Sequence, residues 1–211
     1  FVKFSDKIQH KSVLVVSRQP SAADDCTLPT LDGGSVYLTT TDRASAQKRL
    51  SSGEPILRAY TKNTPYSPLP STTNLYVGDY AASNSMDELA QQAAGVRRIA
   101  VCRMDVDNLG EAFISGFEQK DKPLPKERYH FVTLSRTTAF SRQMSLFFKR
   151  YMNLVLTQNE QKPLQIAVIY SGGDDVFLLG AWNDVITAAT RITDAFHAYT
   201  SGALTISAGI G

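Results

Sequence analysis

The chain has 211 residues, 43% of them hydrophobic, and a formal net charge of +2 at pH 7. This charge is too small to indicate nucleic-acid binding by itself, and no apolar run is long enough to predict a membrane span. No signal-peptide pattern is visible, and the first residue is Phe1. We therefore expect a cytoplasmic protein, of which this chain is a fragment.

Metal binding through cysteine or histidine is not indicated. The two cysteines, Cys26 and Cys102, form no C-x-x-C motif, and the three histidines share no ligand spacing. Cys102 lies in an apolar, strand-like run, where we expect its thiol to pack in the core.

Residues 1–80 are predicted to form a small, mostly β accessory region, and residues 81–211 a second domain. Turn residues separate the short apolar runs of the first region, and no catalytic spacing occurs in it. The acidic pair Asp24-Asp25 is interpreted as part of a solvated loop. The predicted strands cover residues 12–16, 35–39, 56–60 and 74–77, with a short helix at 42–50.

The second domain opens with a predicted helix at residues 86–94. Ser85 and Glu88 have the spacing of a capping box, and Gly95 suits the position after the helix. A strand is predicted next, at residues 97–104.

The acidic segment Asp105-Val106-Asp107-Asn108-Leu109-Gly110 comes directly after that strand. Acidic residues between a strand end and a helix start are typical of ligand sites in open α/β folds. We expect Asp105 to bind a metal ion, and the backbone N–H groups from Val106 to Gly110 to face a phosphate. Asp107 alone is equally consistent with capping the next helix, predicted at 108–117.

A charged, proline-containing loop is predicted at residues 118–128, before a long helix at 132–157. The aromatic and apolar residues of this helix recur at helical spacing on one face, which favours a core position over base stacking. They are Phe140, Met144, Phe147, Phe148, Tyr151 and Val155.

The most informative stretch is Gly172-Gly173-Asp174-Asp175, which lies between short apolar runs at 165–170 and 176–179. This pattern predicts a tight β-hairpin in which the glycines take positive φ angles. Asp174 and Asp175 would then stand side by side at its tip. Adjacent carboxylates repel each other unless a cation lies between them, so we expect a divalent metal ion with a polyphosphate.

A helix capped by Asn183 and a strand at 203–208 complete the pattern. From residue 97 the order is β-α-α-β-β-α-β, which predicts an α+β, ferredoxin-like fold with an antiparallel sheet and helices on one face. In that topology the end of the first strand lies beside the hairpin tip, so Asp105, Asp174 and Asp175 are expected to converge. Such a site suits nucleotidyl transfer with two metal ions, Mg or Mn.

Four stretches resemble the second palm (GGDD) domain of the large subunit of type III CRISPR effector complexes, most closely the III-A (Csm) type. They are RRIAVCRMDVDNLG, LSRTTAFSRQMSLFFKRYMN, IYSGGDDVFLLGAWNDV and LTISAGIG, within a match that spans about residues 75–211. By this resemblance the chain is expected to stop before the last helix and strand of the palm.

The resemblance implies a palm shared with polymerases and GGDEF cyclases. It also implies synthesis of cyclic oligoadenylates from ATP, switched on in an antiviral complex when guide RNA pairs with target RNA. By position, Asp105, Asp174 and Asp175 would be catalytic and metal-binding residues. The resemblance also places eight residues near the nucleotide: Val106, Asp107, Asn108, Leu109, Gly110, Ser171, Gly172 and Gly173. The implied partners are the other subunits, both RNAs and the first palm of the full-length protein, without which we expect this fragment to be nearly inactive.

Two alternatives stay open. One is a GGDEF-type cyclase that makes cyclic dinucleotides from GTP, although the turn here is Gly-Gly-Asp-Asp, with Phe177 two positions later. The other is a non-catalytic palm that acts as a scaffold in a ribonucleoprotein. The intact set of Asp105, Asp174 and Asp175 argues against this second alternative.

Overall fold

The computed structural model describes residues 13–20, 26–63, 72–157 and 163–211. The chain divides into two compact units, Phe1–Tyr76 and Val77–Gly211. Residues 77–80, which the sequence assigned to the accessory region, therefore lie in the second unit, and the Asp24-Asp25 pair lies outside the described residues. In the described ranges, no helix has both the length and the apolar character needed to cross a membrane.

The first unit is built on a five-stranded sheet in the order β2-β3-β1-β4-β5. Its elements are β1 (Val13–Ser17), β2 (Cys26–Pro29), β3 (Ser35–Thr41), α1 (Arg43–Ser51), β4 (Ile56–Lys62) and β5 (Thr72–Leu75). Strand β2 was not predicted, because its sequence has little apolar alternation and three of its four residues are exposed. Val13, Val15 and Ala46 form the buried core of this unit.

The second unit is an antiparallel four-stranded sheet in the order β7-β8-β6-β9, with helices packed against it. Its elements are α2 (Met86–Gln91), β6 (Ile99–Val106), α3 (Leu109–Ser115), α4 (Pro125–Arg128), α5 (Leu134–Leu146), α6 (Met152–Thr157), β7 (Ile166–Ser171), β8 (Asp175–Ala181), α7 (Trp182–Tyr199) and β9 (Ile206–Ile210). This order and pairing confirm the predicted ferredoxin-like α+β palm.

The two faces of this sheet differ. Successive residues of β6 alternate between exposed and buried, which is the period of a half-buried strand. The buried residues Cys102 and Met104 join α5, α6 and α7 in one core, so the thiol of Cys102 is a core group as predicted. The opposite side is called the open face below. Among the described residues of this unit it is covered only in part, by Leu89 of α2, which packs on Ala167 and Leu179.

The long helix predicted at residues 132–157 is interrupted by one wide turn. A π-helical turn, Phe147–Tyr151, joins α5 to α6. The neighbouring side chains of Phe147 and Phe148 are both buried in the core, whereas Tyr151 is 42% exposed. The apolar stripe was thus predicted largely correctly, but the wide turn displaces its C-terminal end.

Two local predictions were wrong, and one open alternative is excluded. Residues 118–128 are not all loop, because α4 begins with Pro125 in the first helical turn, where proline is favoured. Asn183 does not cap α7, which begins at Trp182; its side chain instead accepts a hydrogen bond from the Ala94 N–H at 2.9 Å. Asp107 does not cap α3 either, since Asn108 holds the N-cap position.

Candidate functional site

Asp105 and Asp175 lie directly opposite each other on neighbouring strands. They are register partners in the antiparallel pair β6–β8. Residues paired in this way share a face of the sheet, with Cβ atoms about 4.5–5.5 Å apart. Because Asp105 is an exposed residue of β6, both carboxylates lie on the open face.

The hairpin tip is tied to the end of β6 by backbone hydrogen bonds. The Gly172 N–H donates to the Asp175 carbonyl at 3.0 Å and closes the turn between β7 and β8. The Val106 N–H donates to the Asp174 carbonyl at 3.1 Å. The position of Asp174 at the tip is therefore fixed relative to Asp105, while its side chain is exposed.

Little positive charge in the described protein offsets this pair of carboxylates. Like charges about 5 Å apart repel by ~1 kcal/mol in water-like surroundings. Arg103 Nη2 is 3.8 Å from Asp175 Oδ2, but the arginine side chain is 74% exposed, and exposed ion pairs contribute about 0–1 kcal/mol. No hydrogen bond or ion pair within the described residues reaches the Asp105 carboxylate. The pair is therefore open to a cation.

The donor set fits magnesium bound together with a phosphate. In the described ranges, no three His, Cys, Asp or Glu side chains are grouped to hold a metal ion by themselves. Mg²⁺ usually keeps several waters and binds one or two carboxylates plus substrate phosphates, so a dedicated protein cage is not required. Asp105 and Asp175 would supply the hard oxygen ligands that this mode of binding uses.

Of the two glycines of the turn, the structure explains only Gly172, and for a reason other than the one predicted. Neither has a positive φ angle. A Cβ atom at Gly172 would lie 2.0 Å from the Tyr170 hydroxyl, whereas a Cβ atom at Gly173 would meet nothing within 4 Å. Gly172 thus makes room for the Tyr170 side chain beside the carboxylates.

Tyr170 is a site residue that the sequence did not indicate. The strand register shifts between Val168 and Tyr170, and Tyr170 pairs with Phe177 on the open face. Its hydrogen bond to Asp175 and the negative charge of that carboxylate raise the pKa of the Tyr170 phenol. The shift favours the neutral phenol beside the Asp175 carboxylate.

The loop from Val106 to Gly110 is only partly available to a ligand. Val106 is buried, and its N–H is used by the hydrogen bond to Asp174. Asn108 has a φ angle of 54°, in the left-handed region, and leads directly into α3. Leu109 packs partly against the core, and Gly110 has open space where a side chain would stand.

Asp107 turns toward β9. Its carboxylate accepts hydrogen bonds from Thr205 Oγ1 at 2.6 Å and from Ser207 Oγ at 2.7 Å, and both bonds lower its pKa. Its backbone N–H donates to the Thr205 carbonyl at 3.0 Å. No motif in the sequence signalled this contact, because nearly 100 residues separate the partners.

Ser171 anchors the start of the turn on the helical side. Its Oγ donates to the Phe148 carbonyl at 2.6 Å, within the π-helical turn. Wide turns of this kind occur frequently at functional sites. The hydroxyl of Ser171 thus points to the helical side of the sheet and away from the paired carboxylates. Only the backbone of Ser171 continues into the turn at Gly172.

The fold and the site together define a palm domain with paired carboxylates on its open face. The chain belongs to the Cas10/Cmr2 second palm domain family, whose model matches residues 98–211. A curated relative from Mycobacterium tuberculosis is named a CRISPR system single-strand-specific deoxyribonuclease, Cas10/Csm1 of subtype III-A. It is 42% identical over 183 residues, which are 82% of this chain and 22% of the relative. The chain thus spans about a fifth of that protein.

Solved structures of Csm1–Csm4 cassettes are similar to this chain in fold. One, in complex with AMPPNP, superposes with a TM-score of 0.67 at 26% identity and covers 97% of this chain and 29% of its own. Another, in complex with cA3, gives a TM-score of 0.65 at 26% identity over 95% of this chain and 28% of its own.

Proposed function

We propose that this chain carries a catalytic site for the synthesis of cyclic oligoadenylates from ATP within a type III CRISPR effector complex. The observation that carries the proposal is the direct pairing of Asp105 with Asp175 on the open face. Two findings on relatives support it: one cassette structure holds an ATP analogue and another holds a cyclic triadenylate.

The reaction joins a ribose 3′-oxygen to the α-phosphorus of an ATP and breaks the bond to the leaving pyrophosphate. When bound, Mg²⁺ or Mn²⁺ would activate the hydroxyl and neutralise the developing charge. Asp105 and Asp175 would hold such ions, with Asp174 beside them at the tip. The amides from Asn108 to Gly110 would face the triphosphate, and Gly173, which has open space around it, would leave room for the nucleotide.

The proposed partners follow from the family. The similar structures contain Csm4 beside Csm1. We place this palm beside the first palm of the full-length protein, in a complex that also holds guide RNA and target RNA. In this arrangement the open face supplies one half of the site, and the isolated chain turns over ATP very slowly.

The test is Asp174→Ala with Asp175→Ala in the full-length protein, assembled in its complex with target RNA. Oligoadenylate synthesis should fall by about 100-fold or more, the scale of losing one preorganised electrostatic contact. Binding of target RNA should be unchanged, since the carboxylates form no RNA-binding surface. Asp121→Ala, in an exposed loop, is the matched control.

The same assay separates the alternatives. Cyclic di-GMP made from GTP would show a GGDEF-type cyclase instead. Undiminished oligoadenylate synthesis by the double variant would show that these carboxylates are not catalytic. Cleavage of single-stranded DNA, the activity in the curated relatives' names, is measured in parallel and should not depend on Asp174 and Asp175.

A further inference from the structure

The two aspartates of the Asp105-Val106-Asp107 segment have different surroundings. Ser207 is the register partner of Asp105 across β6–β9, yet its hydroxyl donates to Asp107. Thr205 donates to the other oxygen of the same carboxylate. Each Asp107 oxygen therefore has a hydroxyl donor, while none in the described residues reaches the Asp105 carboxylate.

Three hydrogen bonds tie the turn after β6 to the beginning of β9. Two are the carboxylate contacts of Asp107, and the third runs from its backbone N–H to the Thr205 carbonyl. One residue further on, Asn108 adopts the left-handed conformation that redirects the chain into α3. A contact at this point fixes both the end of the strand that carries Asp105 and the start of the loop.

We infer that Asp107 is a positioning residue and not a cation ligand. It clamps the β6–α3 turn to β9, and it holds the Ser207 hydroxyl away from Asp105, which keeps that carboxylate open. This inference rests on the proposed function for its effect on ATP, but the clamp itself is a property of the fold.

The kinetic test compares four variants of the full-length protein, assembled with target RNA. Asp107→Ala and the double change Thr205→Ala with Ser207→Ala should each raise the KM for ATP by about 10-fold, the lower end of outer-shell effects. Combining all three should add little, because they remove the same contact. Asp107→Asn, whose amide can accept from one hydroxyl and donate to the other, should stay within about 3-fold of the wild type.

A direct ligand role predicts the opposite pattern. In that case Asp107→Asn would be as damaging as Asp107→Ala, while the Thr205 and Ser207 changes would leave the kinetics near those of the wild type. That result would overturn the inference.

A second measurement does not need activity. Hydrogen exchange of the backbone amides at positions 106 and 107 should speed up in Asp107→Ala and in the Thr205 and Ser207 double variant, and should stay unchanged in Asp105→Ala. If wild-type complexes make no oligoadenylate, the proposed function fails, but faster exchange still supports the clamp. Unchanged exchange in both clamp variants overturns it.

Discussion

The position of the Tyr170 side chain beside the carboxylates depends on an irregularity in the pairing of β7 with β8. Val168 is buried in the core, so regular alternation would also turn Tyr170 toward the core. The register shift between them turns Tyr170 to the open face instead, where its hydroxyl meets Asp175. Shifts of this kind are common next to active sites because they redirect one side chain.

Tyr170→Phe is therefore expected to weaken catalysis moderately. The change removes the donor to Asp175 but keeps the ring, which is 51% exposed, so the contact is partly screened by water. We expect kcat/KM for ATP in the assembled complex to fall by about 3- to 10-fold, less than a fully buried, charge-assisted bond would cost. Tyr129→Phe, at a residue with similar exposure, is the control; equal activity of both variants would contradict the role of Tyr170.

The sequence predicted which residues approach each other better than it predicted why each is needed. The topology of the strands was sufficient to place Asp105 beside Asp175. The requirement for Gly172 was misread as backbone conformation, because it comes from the Tyr170 side chain and hence from a register shift that leaves no sequence signal. The roles of Asp107 and Ser207 depend on a pairing between distant strands.

At the scale of elements, the hairpin β7–β8 depends on a close approach at its base as well as on its tip. Gly180 pairs with Ile166, and a Cβ atom there would lie 2.2 Å from the Gln165 carbonyl oxygen and 2.5 Å from the Ile166 Cα. These are backbone atoms, which cannot rotate away. A larger residue at this position must push the two strands apart.

Gly180→Ala should consequently destabilise the second unit by about 1–3 kcal/mol, the usual range for overpacking. The matched control is Gly209→Ala in β9, where the nearest atom to a new Cβ is the Arg103 carbonyl oxygen at 4.0 Å. Denaturant unfolding of the two variants measures the difference. Similar midpoints for both would show that the hairpin base adapts without cost.

Periodicity predicted the helices more reliably than their irregularities. The apolar face of α7 was predicted from its spacing, and its residues Val185, Ile192 and Phe196 are buried. The π-helical turn was not predicted, because one extra residue per turn leaves the local composition unchanged. That turn presents the Phe148 carbonyl to Ser171, so the missed irregularity lies beside the site.

At the scale of the whole molecule, the two compact units each contain one of the two cysteines. Cys102 is fully buried in the core of the second unit, and burial raises the pKa of its thiol. Cys26 is partly exposed on a strand of the first unit. The fold class and the core position of Cys102 were predictable because both follow from the pattern of apolar residues. That pattern can be recognised even when the predicted ends of strands and helices are wrong by a few residues.

The reactivity of the two thiols should therefore differ strongly in the native protein. A thiol reagent attacks the thiolate, so both burial and the raised pKa protect Cys102 at neutral pH. If the second unit opens at a cost of about 5 kcal/mol, its labelling is slowed more than a thousandfold relative to an accessible thiol. Labelling should then show one fast site that disappears in Cys26→Ala, and one slow site that disappears in Cys102→Ala and becomes fast in denaturant. Rapid labelling of Cys102 without denaturant would mean that the sheet core opens readily, and a palm that opens readily could not hold Asp105 and Asp175 in register.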